Sequence, residues 1–593
     1  MNRIDNSIVV LVAIIVFSFL CFPIAEIASF DLRIADAFNT DEVEFLQPML
    51  NAFYRGDFNI GRFDYGLFYY NIGLLCFYVS DFISPLTEHS AIMIMRLLSS
   101  FFLIANAFAI RAIYHSVFKS HSLLVFVLSI LSSHTMLNYG AMVHPDLAQV
   151  FLVSMGVLFA IKYLKFNKFI FLLIAALFSG LAFATKFVGI AFLPVLLLLA
   201  LFIKENKDGA LKTYAYLTTI TLSAGFAFLS YPSWVQGYLQ GDAELVADVL
   251  ALFKILHYAS ISICLITILA LYIRCSNQFL WIRRAIESLS NTYLVGLIFC
   301  VGFSIGSPQS IIGFRFLNGL IYVAGIHKDG HWFRDESGWY GWVKVLIQSD
   351  VVPVWLAVFG ILGLIWVIVT SLKSRRIVFL NPMYVPILWI LMFCLVVVFR
   401  VKSHFSHYLI PVIPFLFLYA SAAINAVLAK IIALLNLNVV ERNLSVTISL
   451  VLGVWFFYKA SIYTHERVEE YTESAELRSG EWIKENLNNS VSITADKYVY
   501  IPYSLNSTFY TYWGLSNAII EKNSSDYLLI NEHTHKSFLN RGDVVDYLHG
   551  DELFLERNDL YISLINDTHK DYKLVRDFGR VKLYKKRPPN GDL

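Results

Sequence analysis

Residues 39–44 read Asn39-Thr40-Asp41-Glu42-Val43-Glu44, and they follow closely on an apolar run from Ile8 to Ala28. A run of that length spans a bilayer as a helix, so these acids are expected at a membrane surface. The run exceeds a signal h-region of about 7–15 residues and lacks an Ala-x-Ala-like end, so it reads as a retained helix. Thr40-Asp41-Glu42-Val43 ahead of Phe45-Leu46 also has the form of a helix start. The acids therefore have two readings, a solvated first turn or the proton acceptor of a reaction at the membrane surface.

The rest of the chain supports the membrane setting. Of 593 residues, 57% are hydrophobic and 15% are charged, against about 25% charged in soluble proteins. Apolar runs recur to about residue 463 and then stop. The expectation is a polytopic α-helical membrane domain over 1–463 and a small C-terminal α/β domain over 464–593. A net charge of +2 points to no nucleic acid. Cysteines accompany the apolar segments and are missing from the tail, so no disulfide framework is implied.

Basic residues mark the loops that stay inside. They cluster at Arg111–Lys119, Lys162–Lys168, Lys204–Lys212, Arg274–Arg284 and Lys373–Arg376. Two spanning stretches fit between successive clusters, so the intervening turns face outward. Only one crossing fits between residues 30 and 111. The aromatic stretch 66–84 is therefore expected to lie on the outer surface and 90–110 to cross, giving about 13 spans. The two long outer loops are 30–89 and 307–350, and the tail follows the last span outside. In the tail, Glu476–Leu487 reads as an amphipathic helix, 491–495 and 526–531 as strands, and 572–584 as a hairpin turning at Gly579.

Chemistry is expected on the outer face. Asp41, Glu42 and Asp146 are its acids; transfer to a hydroxyl or amine needs a base for the acceptor proton. His144-Pro145-Asp146 also reads as a plain helix start. Arg96, Lys186, Arg315, His327, His331, Arg400, Lys402, His404 and His407 are its cations and imidazoles, suited to a phosphate leaving group. Lys186 lies in a tight turn between two apolar spans, where a charge is costly without a partner. His327 and His331 have i,i+4 spacing, but Gly325 and Gly330 interrupt the helix that a shared metal would need.

These pieces, in this order, resemble membrane glycosyltransferases of the GT-C superfold, the group holding dolichyl-phosphate-mannose-type transferases, protein O-mannosyltransferases and lipid A aminoarabinose transferases. The matching elements are Asp41-Glu42, Gly56-Asp57-Phe58, Phe63 to Tyr70, Arg96-Leu-Leu-Ser99, His144-Pro-Asp146, Gly180-Leu-Ala-Phe-Ala-Thr-Lys186, Gly330-His331 and His407-Tyr408-Leu-Ile-Pro411. Two departures stand out: no Pro-Pro near Tyr65-Gly66, and His407 where the family has arginine. The tail lacks a Trp-Trp-Asp-Tyr-Gly motif, which separates it from oligosaccharyltransferases.

The resemblance implies an inverting transfer of a hexosyl or pentosyl group from a polyprenyl-phosphate sugar to a lipid, glycan or protein acceptor. Asp41 would be the base, with Glu42 and Asp146 beside it. Arg96, Lys186, His407 and Tyr408 would face the carrier phosphate. It implies no nucleotide and leaves a divalent metal open. The expected setting is the cell inner (plasma) membrane, with the tail extracytoplasmic. The competing reading is a lipid-linked-sugar flippase or other transporter, which would place its ionisable groups near the midplane.

Overall fold

The computed structural model describes residues 3–118, 122–201, 219–221, 223–237, 239, 243–273, 280–312, 315–329, 338–348, 350–373, 381–399, 401, 404–434, 441–505, 507–511, 514–539 and 552–588. Among them, seven helices are long and apolar enough to cross a membrane, and six shorter apolar helices accompany them. Many carry exposed Leu, Ile and Val, such as Ile255, Leu265, Ile361, Leu362 and Val454. Such wide apolar faces are stable against lipid rather than water. The chain is thus a multi-pass helical membrane protein with a small C-terminal sheet domain.

The elements at the start of the chain run in close succession. Helix α1 (Arg3–Val16) continues through a π-helical turn to Glu26; α2 covers Leu32–Phe38 and α3 Thr40–Arg55. The α1 continuation, α2 and α3 are joined by breaks at Ile27–Asp31 and Asn39, and Asn39 is extended (φ −153°). Asp41 and Glu42 fall in the first turn of α3, where carboxylates complement the unpaired N–H groups of the helix start. The aromatic stretch forms α4 (Phe68–Ile83). Tyr69, Tyr70, Leu74 and Phe77 are buried on it, while Phe82 and Ile83 are exposed. Helix α5 (Glu88–Phe118) follows, with 31 residues, a length of about 46 Å.

One expected span is divided. The stretch 121–141 forms a helix over Leu123–Leu131 and a second over His134–Tyr139. Ser133 caps the second by accepting from Met136 N at 3.2 Å. Consecutive serines favour such local bonds over helix continuation. Next come α6 (Asp146–Phe166), α7 (Phe169–Phe183), α8 (Arg315–Asp329), α9 (Ile413–Leu434) and α10 (Glu441–Thr472). Helix α10 continues unbroken past residue 463, where the sequence placed the domain boundary. Of the basic loops, 119–121, 204–212, 274–279 and 374–376 lie outside the described residues.

The tail begins with α11 (Ala475–Asn486), the expected amphipathic helix, capped by Ser474. It then supplies β1 (Ser492–Ala495), β2 (Ser507–Tyr510), β3 (Tyr527–Asn531), α12 (Glu532–Leu539), α13 (Glu552–Ile565), β4 (Tyr572–Asp577) and β5 (Val581–Lys586). The sheet order is β2-β1-β3-β5-β4. Strands β2, β1 and β3 are parallel, and the β4–β5 hairpin adds antiparallel to β3. Every residue of β3 is buried. Tyr527 and Leu529 pack on one face with Ile483 of α11; Leu528 and Ile530 pack on the other with Leu560 and Leu564 of α13. That period-two division makes three layers, helix, sheet, helix.

The tail rests on the segment between the first long helix and α5. Arg33 of α2 donates to the carbonyls of Ile501 at 3.2 Å and Pro502 at 2.9 Å. Its guanidinium lies 4.1 Å from the Tyr503 ring centroid. The Tyr503 hydroxyl in turn donates to Glu88 at 3.2 Å. Sheet domain and first loop therefore meet at the bundle end that carries Asp41.

Candidate active site

Glu42 and Arg96 anchor this end of the bundle. Glu42 is 0% exposed and Arg96 is 4% exposed. Arg96 Nε donates to Glu42 Oε1 at 3.0 Å and Nη2 to Oε2 at 2.5 Å. Arg96 Nη1 donates to the carbonyls of Ala25, at 2.8 Å, and Ile27. Val143 N donates to Glu42 Oε1 at 2.6 Å. This fork joins the end of α1, the start of α3, α5 and the approach to α6. A buried charge pair persists only when its remaining donors and acceptors are satisfied, as they largely are here. Arg96, expected beside the carrier phosphate, has its guanidinium directed at protein acceptors.

Asp41, one residue earlier, is exposed. Among the described residues, none hydrogen-bonds to or ion-pairs with its carboxylate. Its field reaches Tyr65: burial first, and then Tyr408, Asp41 and Asp146, push the Tyr65 hydroxyl well above the usual tyrosine value. Tyr65 therefore stays protonated, able to donate to a substrate oxygen. Adjacent acids on one helical turn thus have opposite settings, Glu42 consumed in a fork and Asp41 open.

The second acid is buried. Asp146, 0% exposed at the start of α6, accepts from the Lys186 ammonium at 2.6 Å. Lys186 occupies the turn after α7, where its N–H bonds to Ala182 O at 3.0 Å and its carbonyl accepts from Gln149 at 3.2 Å. The ammonium lies 5.6 Å from the Tyr65 ring centroid and 5.1 Å from that of Tyr408. Rings at that range attract a cation. The costly charge in this tight turn thus has a carboxylate and two aromatic faces as partners.

His407 and Tyr408 sit in a short 3-10 turn over Ser406–Leu409, ahead of α9. The Tyr139 hydroxyl lies 3.0 Å from His407 Nδ1. The His144 and His407 rings meet edge to face at 5.3 Å. His144, Asp146 and His407 each offer a ligand atom, all within 4.8 Å of one another. His144 Nδ1 and Asp146 Oδ2 are 3.1 Å apart without hydrogen-bond geometry, and both are buried with no other partner.

A third ionic chain borders the acids. Glu44 accepts from Arg62 at 2.9 Å on one oxygen and lies 3.4 Å from Lys497 Nζ on the other. Arg62 also pairs with Asp64 at 2.6 Å. Lys497 comes from the tail, just after β1. Burial lowers its pKa, opposed by Asp36, Glu44 and Asp41. Reading the sequence did not single out His144, Tyr65, Tyr139 or Lys497 as site residues. His144 stands in the His-Pro-Asp stretch and could have been found there; Lys497 carried no local signal.

The outer-loop candidates divide. The Arg315 guanidinium lies 5.2 Å from the Phe63 ring centroid. The backbone of residue 327 lies on α8, and His331, Arg400 and Lys402 fall outside the described residues. The residues brought together are Asp41, Asp146, Lys186, His407 and Tyr408, all at one end of the bundle and none near its middle.

No family model matches the chain, and no curated protein matches it by sequence. ArnT from Cupriavidus metallidurans, solved with undecaprenyl phosphate, aligns over 98% of this chain and 97% of its own, at 12% identity and a TM-score of 0.45. The archaeal oligosaccharyltransferase AglB from Archaeoglobus fulgidus, solved with an inhibitory peptide and a dolichol-phosphate, aligns over 97% of this chain and 79% of its own, at 12% identity and a TM-score of 0.51. At this identity the likeness to AglB is one of fold: this chain shares with it a multi-pass helical membrane architecture.

Proposed function

We propose that the protein is a glycosyltransferase that moves a sugar from a polyprenyl-phosphate carrier to an acceptor at the extracytoplasmic face of a cell membrane, with inversion. The observation that carries this reading is the gathering of an open carboxylate, Asp41, with the Asp146–Lys186 pair and His407–Tyr408 at one end of a GT-C fold. Transporters place such groups at the bilayer midplane, and this clustering at a bundle end does not favour the flippase reading.

In the proposed step, Asp41 accepts the proton of the acceptor hydroxyl or amine as its oxygen or nitrogen attacks the anomeric carbon. The bond from that carbon to the carrier phosphate breaks, and its electron pair leaves with the polyprenyl phosphate. Lys186, held by Asp146 and flanked by Tyr65 and Tyr408, offsets the charge that grows on the phosphate. His407 and the Tyr65 hydroxyl supply further donors. Glu42 and Arg96 act at one remove by fixing the start of α3, and hence Asp41. The sugar is a hexosyl or pentosyl group, and the acceptor a lipid, glycan or protein.

A second reading rests on His144 Nδ1 and Asp146 Oδ2, buried 3.1 Å apart with no third group between them. His144, Asp146 and His407 form a nitrogen–oxygen donor set suited to zinc or a similar divalent cation. A cation held there would supply Lewis-acid stabilisation of the leaving phosphate. Lys186 already neutralises Asp146 and argues for the metal-free form of the site.

The test uses purified protein and an Asp41→Asn variant in detergent with polyprenyl-phosphate sugars, following release of polyprenyl phosphate with and without cell-envelope extract. Release by wild type alone supports the reading. Equal release by both removes Asp41 from the chemistry. Movement of the lipid-linked sugar across vesicles with no release overturns the transferase in favour of the transporter. Dialysis against a chelator separates the two forms of the site.

A further inference from the structure

A cleft of about 350 Å³ opens beside the catalytic cluster, between the loop that precedes α4 and helix α8. Arg62, Phe63 and Asp64 form one wall; Arg315, Asn318 and Tyr322 form the other. The volume falls at the small end of ligand sites, enough for a compact polar molecule rather than a lipid tail. Phe63 and Tyr322 supply flat apolar surfaces, and Asn318 and Asp64 supply hydrogen-bonding groups.

The charges within the cleft are unequally committed. Arg62 is paired on both sides, with Glu44 at 2.9 Å and Asp64 at 2.6 Å. Arg315 is exposed, lies against the Phe63 ring, and forms no ion pair with a described residue. Among the described residues, the cleft therefore offers one guanidinium without a carboxylate partner, beside aromatic surfaces. A guanidinium forks onto phosphate or carboxylate, and a ring face accepts the C–H face of a sugar by apolar contact.

The cleft is also tied rigidly to the catalytic turn. A Cβ on Gly319 of α8 would lie 1.7 Å from the carbonyl oxygen of Phe63. A Cβ on Gly66 would lie 2.1 Å from the carbonyl oxygen of Ala184, two residues before Lys186. Phe68 N bonds to that same carbonyl at 2.9 Å. Residues 63–66 thus form a strap clamped at both ends by backbone contacts. Its first half walls the cleft, and its second half carries Tyr65 to the ammonium of Lys186.

We propose that this cleft is the acceptor subsite, and that it seats a saccharide bearing a phosphate or carboxylate on Arg315 with a ring against Phe63 and Tyr322. The proposal rests on the glycosyltransferase reading for the word acceptor, but not for the binding itself. Under the proposed function, the carrier phosphate is assigned to Lys186 and His407. An inverting attack brings the acceptor from the side away from that phosphate, and the strap sets the cleft and the Lys186 turn at its two ends.

The experiment titrates full-length protein in detergent, without donor, with glucose 6-phosphate, glucose and inorganic phosphate, followed by saturation-transfer NMR and calorimetry. The sugar phosphate is expected to bind more tightly than either fragment. Arg315→Ala is expected to weaken it about ten-fold with Arg315→Lys recovering part, and Tyr322→Ala to weaken glucose and glucose 6-phosphate alike. Equal affinity in wild type and Arg315→Ala, or phosphate binding as well as the sugar phosphate, overturns the subsite. A second arm measures transfer and the slow release of polyprenyl phosphate to water. Arg315→Ala is expected to raise the acceptor KM more than it lowers kcat. Wild-type protein that binds the sugar phosphate but never releases carrier phosphate defeats the transferase reading while sparing the cleft.

Discussion

Lys497 Nζ lies 3.4 Å from Glu44 Oε1, so the sheet domain ion-pairs with the helix whose first turn carries Asp41. Both side chains are mostly buried, and the pair is continued by Arg62 and Asp64. Lys497→Met and Glu44→Gln are each expected to loosen the docked tail by about 1 kcal/mol. Limited proteolysis between α10 and α11 reads this as a several-fold faster cut. The double variant is expected to lose no more than either single one. Additive losses would show that the two residues do not act through this contact.

Asp41 and Asp146 are expected to fail differently when changed to Asn. Asp41 is exposed, so Asp41→Asn should leave the melting temperature nearly unchanged while reducing transfer by about 10²–10⁴-fold. Asp146→Asn leaves the Lys186 ammonium without its carboxylate and is expected to cost about 3–5 kcal/mol of stability. Adding Lys186→Met to Asp146→Asn should recover stability but not activity. Thermal unfolding beside donor turnover, in one set of variants, distinguishes these outcomes.

Arg96 is expected to behave as a positioning residue. Its guanidinium is directed at Glu42 and two backbone carbonyls. Glu42→Gln and Arg96→Lys should both lower stability, by about 3 kcal/mol, and leave donor affinity close to wild type in whatever protein remains folded. Lys186→Met should weaken donor binding instead. An Arg96→Lys protein that keeps its melting temperature but loses donor affinity would return Arg96 to the phosphate.

The tail contains a pH-dependent element of its own. Asp496, at the end of β1, is fully buried, and burial pushes its pKa up to about 7 against bonds from Tyr561 and Asn531 that favour ionisation. Below about pH 4 the carboxyl is protonated in folded and unfolded chains alike, at no cost. As pH rises through that value the unfolded chain ionises first, so stability falls until about pH 7 and is level beyond. The difference in melting temperature between wild type and Asp496→Asn, followed from pH 4.5 to 8, should change across that window. Parallel curves would show that Asp496 does not titrate there.

Much of this was legible from residues alone because the signals were local. The apolar runs specified the helices, and the basic loops gave a parity that put Asp41, Asp146, Lys186 and His407 on one face. The structure gathers those residues at one end of the bundle. Gly579 at the 572–584 turn located the hairpin, where its φ is +98°. What escaped depends on tertiary packing. Glu42 and Asp41 look equivalent in sequence, yet one is locked in a buried fork and the other is open, because only the packed bundle says which side of α3 faces Arg96. The break at Ser132–Ser133 was hidden inside an apolar run. The missing Trp-Trp-Asp-Tyr-Gly motif argued against oligosaccharyltransferases, yet AglB shares the fold, because helix packing outlasts any one loop motif.

Lys497 and Glu44 are separated by 453 positions along the chain. Chains are made from the N-terminus, and domains fold as they emerge. The segment that carries Glu44 is therefore synthesised long before its counter-charge exists. Until the tail arrives, Glu44 has Arg62 but not Lys497. A chain interrupted anywhere before β1 would carry Asp41, Glu44 and Lys186 without that counter-charge. The docking of the sheet domain on the segment that carries Glu44 thus delays that ion pair until the sheet domain is made.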